Sequence, residues 1–196
     1  MRTRNEDKVQ MVKQKAMEMI VSTGLEGFSV NKLARACGIS VATLYIYYKD
    51  KEDLITKVAI EEGQKMSDMT LKDLDPDLPF AEGLRIQWRN RSKYMKENPV
   101  AMHFFEQLRS STFQAKALKY MTNDMREVLS KFTHNAVARG EINKMPLEVY
   151  WSIAFAPLYS LLRFDNEGHS VGGHPFKLTD AVLWQTYDLV LKALTP

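Results

Sequence analysis

Residues 29–54 read SVNKLARACGISVATLYIYYKDKEDL, with the tetrad Cys37-Gly38-Ile39-Ser40 between two short apolar patterns. A glycine in that tetrad permits a sharp crossing of two helices, as a helix-turn-helix requires. Small Ala34 lets the two helices approach, and Leu33 and Ile39 fill the space between them. Ser40 is a capping residue, so a new helix begins at Val41. On it Leu44 and Tyr48 lie four apart and point inward together. That leaves Val41, Ala42, Thr43, Tyr45 and Tyr47 on the outer sides. A buried enzyme helix does not ordinarily carry such a cluster of hydroxyl-bearing and small residues outside. The chemistry this pattern suits is noncovalent contact with a partner.

Groups for covalent or metal chemistry are not gathered in this way. His169 and His174 share a loop without a third ligand or a nearby carboxylate, and His103 and His134 fall on helices with no matching partner. No glycine-rich phosphate loop, nucleophile elbow or H-E-x-x-H is present. Cys37, the single cysteine, reads as packing; it excludes an internal disulfide framework and fits a reducing compartment. The expectation is a protein with no catalytic residue, metal site or cofactor.

The charge distribution points the same way. Of a net charge of +3, all arises in residues 1–50, which hold eight Lys/Arg and five Asp/Glu; the other 146 residues carry 19 of each sign. A small phosphate-binding module on a neutral body would have that balance. At 196 residues, 45% hydrophobic and 26% charged, the chain has enough core for one large or two small domains and is not a disordered polymer. Charges interrupt every apolar stretch before the 18 or so residues that a membrane span needs, and no secretory signal opens the chain. A soluble, cytoplasmic protein is expected.

Helical periodicity dominates, and the fold class is all-α with about nine helices. A first helix over 5–23 places Val9, Val12, Ala16, Met19 and Ile20 on one stripe and ends at Gly24. Ser29 caps the second helix, Ser40 the third, and Asp50 the fourth, where Asp53 completes a capping-box-like arrangement. The DLDPDLP run at 73–79 punctuates the chain. Beyond it, five helices are predicted over 80–97, 100–109, 113–139, 146–163 and 177–194, with Pro157 bending the fourth of these. The Gly- and His-rich loop over 165–175 is expected to be mobile.

The segment resembles the DNA-binding head of the TetR family of bacterial transcriptional regulators. The similar features are Phe28-Ser29, Leu33-Ala34, the turn Gly38-Ile39-Ser40, Thr43-Leu44-Tyr45, the pair Tyr47-Tyr48, and Lys51-Glu52 with Leu54. They cover roughly the first 55 residues and are specific as a set, whereas a lone turn would not be. The resemblance implies that the third helix lies in the DNA major groove. Val41, Ala42 and Tyr47 would then face bases, while Thr43, Tyr45 and Lys51 would hold phosphates. Ser40 would cap the helix and aim its positive end at the backbone, and Asn31 would take a base or phosphate position. An Arg2–Arg4 arm would follow the backbone or a minor groove. Tyr47 stands where histidine is commoner, and Val41 and Ala42 cannot hydrogen-bond a base, so readout would lean on thymine methyls and DNA shape.

For the rest of the chain the resemblance implies effector binding and pairing with a second copy. A three-helix helix-turn-helix head at 1–52 would precede an effector-binding and dimerisation body at 53–196. Candidate pocket residues are Trp88, Met95, Met102, Phe105, Met125, Trp151, Phe155 and Tyr159, which suit a small, mostly apolar effector; a filled core uses the same residue types. Arg85 and Arg89, one turn apart, would suit an acidic ligand or a solvated face. Tyr150, Ile153, Ala154, Leu158 and Leu161, with Ala181, Trp184, Tyr187, Leu191 and Leu194, would form a two-fold seam. The function expected is a homodimeric repressor released from a palindromic DNA operator by its effector. The alternative is an all-α small-molecule-binding protein or enzyme whose head is structural only.

Overall fold

The computed structural model describes residues 4–109, 111–113 and 123–196. Residues 114–122 of the helix expected over 113–139, and Arg2 of the N-terminal arm, lie outside the described residues. Among those described, the elements are α1 (Arg4–Gly27), α2 (Val30–Ala36), α3 (Val41–Tyr47), α4 (Lys51–Leu71), α5 (Phe80–Glu97), α6 (Pro99–Arg109), α7 (Asn123–Ala138), α8 (Leu147–Ala154), α9 (Ala156–Glu167) and α10 (Asp180–Leu194). The fold is all-α; an isolated bridge between His169 and Pro175 is the one β-type pairing among the described residues. No described helix is long and apolar enough to cross a membrane.

By compactness the chain divides into residues 1–65 with 98–121, and residues 66–97 with 122–196. The first unit is built on the apolar stripe of α1. Val12, Ala16, Met17 and Ile20 are buried together with Leu33 and Ala34 of α2, Leu44 and Tyr48 of the α3 segment, and Leu54, Ile55 and Val58 of α4. Phe104 and Leu108 of α6 close the same core. Each large side chain so buried contributes about 1.5–3 kcal/mol. The regular course of α1 ends at Gly24, as its glycine suggested: Gly24 leaves the helical region at φ 72, ψ 168, and a separate short turn follows the kink to Gly27.

The second unit forms around α5, which buries Phe80, Leu84, Trp88 and Met95. The Trp88 indole N–H donates to the Ala154 carbonyl at 2.8 Å, and its ring meets Tyr187 edge-on at 5.6 Å. Pro157 breaks its helix and does not merely bend it. Phe155, at φ −128 and ψ −25, separates α8 from α9, and the proline sits in the first turn of α9, where its missing N–H costs nothing. Helix α9 runs on to Glu167, beyond its predicted end, and Gly168 caps it.

One glycine is fixed by a close approach. A Cβ on Gly83 would lie 2.3 Å from Cε2 of Phe132, whose ring is fully buried and stacked 5.7 Å from Phe80. On an exposed helix Gly→Ala stabilises by about 1 kcal/mol. Here Gly83→Ala is expected to reverse that sign and cost about 1–3 kcal/mol through overpacking. Urea unfolding of the variant beside wild type reads the difference.

Candidate nucleic-acid interface

The turn forms because its residues satisfy it locally. Gly38 takes φ +63, a left-handed conformation that spares it the strain a side chain would bring, and its N–H returns to the Arg35 carbonyl. Ser40, extended, caps α3: Thr43 N–H donates to Ser40 Oγ at 3.1 Å, and the two hydroxyl oxygens lie 2.8 Å apart. Ser29 stands at the N-cap of α2 in the same extended form, but its side chain makes no capping bond. At α4 Asp50 caps the helix, and the return bond from Asp53 reaches the residue before the cap. Asp53 N–H donates to Asp50 Oδ1 at 2.8 Å, and Lys49 N–H donates to Asp53 Oδ2 at 2.9 Å. The Lys57 ammonium beside Asp53, then that backbone donor, hold its carboxyl below the usual range.

Helix α3 separates its faces cleanly. Leu44 and Tyr48 are buried; burial pushes the Tyr48 phenol up to about 12, so it stays neutral. Ala42, Tyr45 and Ile46, at i, i+3 and i+4, form one exposed face, with Tyr45 52% and Ile46 77% exposed. Val41, Thr43 and Tyr47 are half-buried, and the first and last pack against the head core. Sequence reasoning missed Ile46, although its position one turn beyond Ala42 was the available signal. Asn31 is exposed beside Lys32, near the start of α2. Lys32, Arg35 and Lys49 are exposed cations, and Lys49 acts electrostatically on the Asp53 carboxylate.

Lys51 is placed differently from a free phosphate ligand. Its ammonium donates to the carbonyls of Leu25 and Phe28 at 2.8 and 3.0 Å, over the Phe28 ring. Two of its three donors therefore tie α4 to the last turn of α1 and to the loop before α2, leaving one for a partner. Lys51→Met is expected to destabilise the protein by about 1–2 kcal/mol, apart from any effect on DNA, as two backbone acceptors lose their donor. Chemical denaturation measures that cost directly. Cys37 is buried in the head core, and desolvation pushes its thiol pKa up, which disfavours the thiolate.

The expected effector residues fall in both units. Met102 and Phe105 belong to the first, where Phe105 packs against the head core. In the second, Trp88, Met95, Met125 and Phe155 are buried, Tyr159 is half-buried and Trp151 is 38% exposed. Trp151 packs 5.0 Å from Phe155 and stacks 6.4 Å from Tyr159. Arg85 and Arg89 are exposed, and Arg85 lies 4.1 Å over the Trp184 ring. Among the described residues the buried basic side chain is Arg91, which sequence reasoning did not single out. Among the expected seam residues, Tyr150, Ala154, Leu158, Tyr187 and Leu194 are buried within their own unit. Of the other expected seam residues, Ala181 is exposed and Ile153, Leu161, Trp184 and Leu191 are half-buried; the exposed large apolar side chains there, among the described residues, are Leu147, Val149, Trp151 and Leu189.

Comparison with known proteins bears on this geometry. Residues 14–58 match the family described as bacterial regulatory proteins, tetR family. An uncharacterized HTH-type transcriptional regulator of Haemophilus influenzae is 27% identical over 110 residues, a stretch that spans 56% of this chain and 59% of that protein's length. A TetR family transcription regulator of Marinobacter aquaeolei superposes with a TM-score of 0.78 at 25% identity, covering 100% of this chain and 99% of its own. The fold is also that of the Bacillus subtilis regulator FadR, solved in complex with stearoyl-CoA, with a TM-score of 0.75 at 16% identity over 94% of this chain and 98% of that one.

Proposed function

We propose, from the match of residues 14–58 to the tetR family of bacterial regulatory proteins and the likeness to a solved TetR family regulator, that this chain is a TetR-type, homodimeric, ligand-responsive regulator of transcription. It acts in the cytoplasm, without catalysis, as a repressor released from a palindromic operator by a small effector. The observation that carries this reading is the exposed Ala42–Tyr45–Ile46 face on a short, capped helix whose other side is locked by Leu44 and Tyr48. Such a helix is rigid and presents apolar and hydroxyl groups to a groove. Residues 1–52 carry DNA reading and 53–196 carry effector binding and pairing. Ala42, Val41 and Tyr47 face bases; Asn31, Thr43, Tyr45 and Lys51 hold register on the backbone; and Ser40 fixes the start of the helix.

Helix α4 supplies the coupling. It begins at the Asp50–Asp53 cap beside the reading helix, and at its far end the Asn90 amide donates to the Thr70 and Lys72 carbonyls at 3.3 and 2.7 Å. An effector that re-sets α5 therefore moves a helix that starts in the head. Ligand and operator prefer different settings of that helix, so each weakens the other. The FadR complex, in a protein of this fold, supports an effector of partly apolar character. Pairing through the exposed Leu147, Val149 and Leu189 supplies the two-fold symmetry.

Titration of a duplex DNA pool at rising salt tests the DNA-binding claim. The logarithm of the binding constant is expected to fall linearly with the logarithm of salt, by about 0.9 per phosphate neutralised. Absence of binding at low salt by the folded protein would return the head to a structural role.

A further inference from the structure

Arg91 sits in the middle of α5 and is 1% exposed. Its Nη1 donates to the Tyr159 hydroxyl at 2.8 Å, and its guanidinium lies 4.4 Å from the Phe155 ring centre and 5.3 Å from that of Trp151. Its Nε and Nη2 have no partner, although both are fully buried. One turn earlier, Gln87 is also 1% exposed, and its Nε2 is likewise without a partner. The arrangement leaves three unmet donors on one face of one helix, two of them on a fixed positive charge.

Aromatic faces offset part of the cost of burying a guanidinium, but they accept none of these N–H bonds. Nε and Nη2 form the side of the guanidinium that presents two parallel N–H groups, the spacing of the two oxygens of a carboxylate. One negative charge balances the one buried positive charge, whereas a phosphate dianion would leave an excess. We propose that this is the anion-receiving end of the effector site: a monocarboxylate with an apolar or aromatic tail, paired two-to-two with Arg91, hydrogen-bonded by Gln87 and flanked by Trp151 and Phe155. The inference rests on the effector-responsive reading above and names the effector's chemical class.

Fluorescence titration, with Trp88 and Trp151 as reporters, tests it using decanoate, benzoate and their methyl esters. Wild type is expected to bind at least one acid tenfold or more tightly than its ester. Arg91→Met is expected to lose at least tenfold for the acid and little for the ester. Should Arg91→Met fail to fold, Gln87→Met leaves the guanidinium in place and is expected to weaken the acid at least threefold, again sparing the ester. Equal binding of acid and ester, or no binding of either acid, overturns the proposal. Repeating the titration on protein bound to DNA separates the two readings. Acid binding that leaves DNA bound keeps the carboxylate site and removes the coupling. DNA release by ester and acid alike keeps the coupling and overturns the carboxylate site.

Discussion

Ala42→Glu is expected to lower affinity for specific DNA by at least about 100-fold, near 2.7 kcal/mol, without lowering the thermal midpoint. The two effects separate because of where Ala42 lies. It is exposed in the first turn of α3, where a carboxylate interacts favourably with the helix dipole and adds a few tenths of a kcal/mol of stability. In the proposed complex the same carboxylate would enter a groove walled by phosphates, in place of a methyl set against a base. Its neighbours Tyr45 and Ile46 share that face, so no rotamer of the new side chain escapes the contact surface. Anisotropy with a selected duplex and a melting curve together read the prediction. A hundredfold loss accompanied by a drop in melting temperature would instead indicate damage to the head.

The largest expected loss of stability comes from Trp88→Ala, about 3–5 kcal/mol, enough to unfold many domains of this size. Trp88 is fully buried and meets Tyr187 of α10, and its indole N–H fills the carbonyl of Ala154 at the end of α8. Truncation opens a cavity and strands a buried acceptor just where the chain breaks between α8 and α9. Trp88→Phe keeps most of the volume but not the bond, so it is expected to cost about half as much or less. Urea unfolding of the three proteins orders them wild type, Phe, Ala. An alanine variant as stable as wild type would show that Trp88 lines open space and not packed core.

The head was legible because its determinants are local. A turn glycine, a capping serine and the four-residue step from Leu44 to Tyr48 each act within a few residues, and the structure places all of them as the pattern predicts. Two head residues carry more than that reading gave: Ile46 looks like core by residue type but is exposed, and Lys51, expected at a phosphate, also gives two of its donors to the carbonyls of Leu25 and Phe28.

The rest of the chain was legible as helices but not as surfaces. Periodicity identifies which residues of 146–163 and 177–194 are apolar, yet it cannot say whether a stripe faces its own unit or a partner. Tyr150, Leu158 and Tyr187 therefore turned out buried internally. Pro157 signalled a bend, whereas the break depends on Phe155 leaving helical geometry beside it. Arg91 was visible in principle, because it falls on the stripe that also holds Leu84, Trp88 and Met95. A charged residue on an apolar stripe is the sequence trace of a buried cation, and only packing reveals which of its donors are met.

Whether α3 reads DNA sequence is decided by selection of bound duplexes from a random library, run in parallel on wild type and Ala42→Glu. Wild type is expected to select a palindromic consensus, with half-sites centred about 34 Å apart or a multiple of that, and Ala42→Glu to enrich nothing. Failure of folded, dimeric wild type to enrich any sequence, or the same consensus from both proteins, would contradict sequence reading by α3.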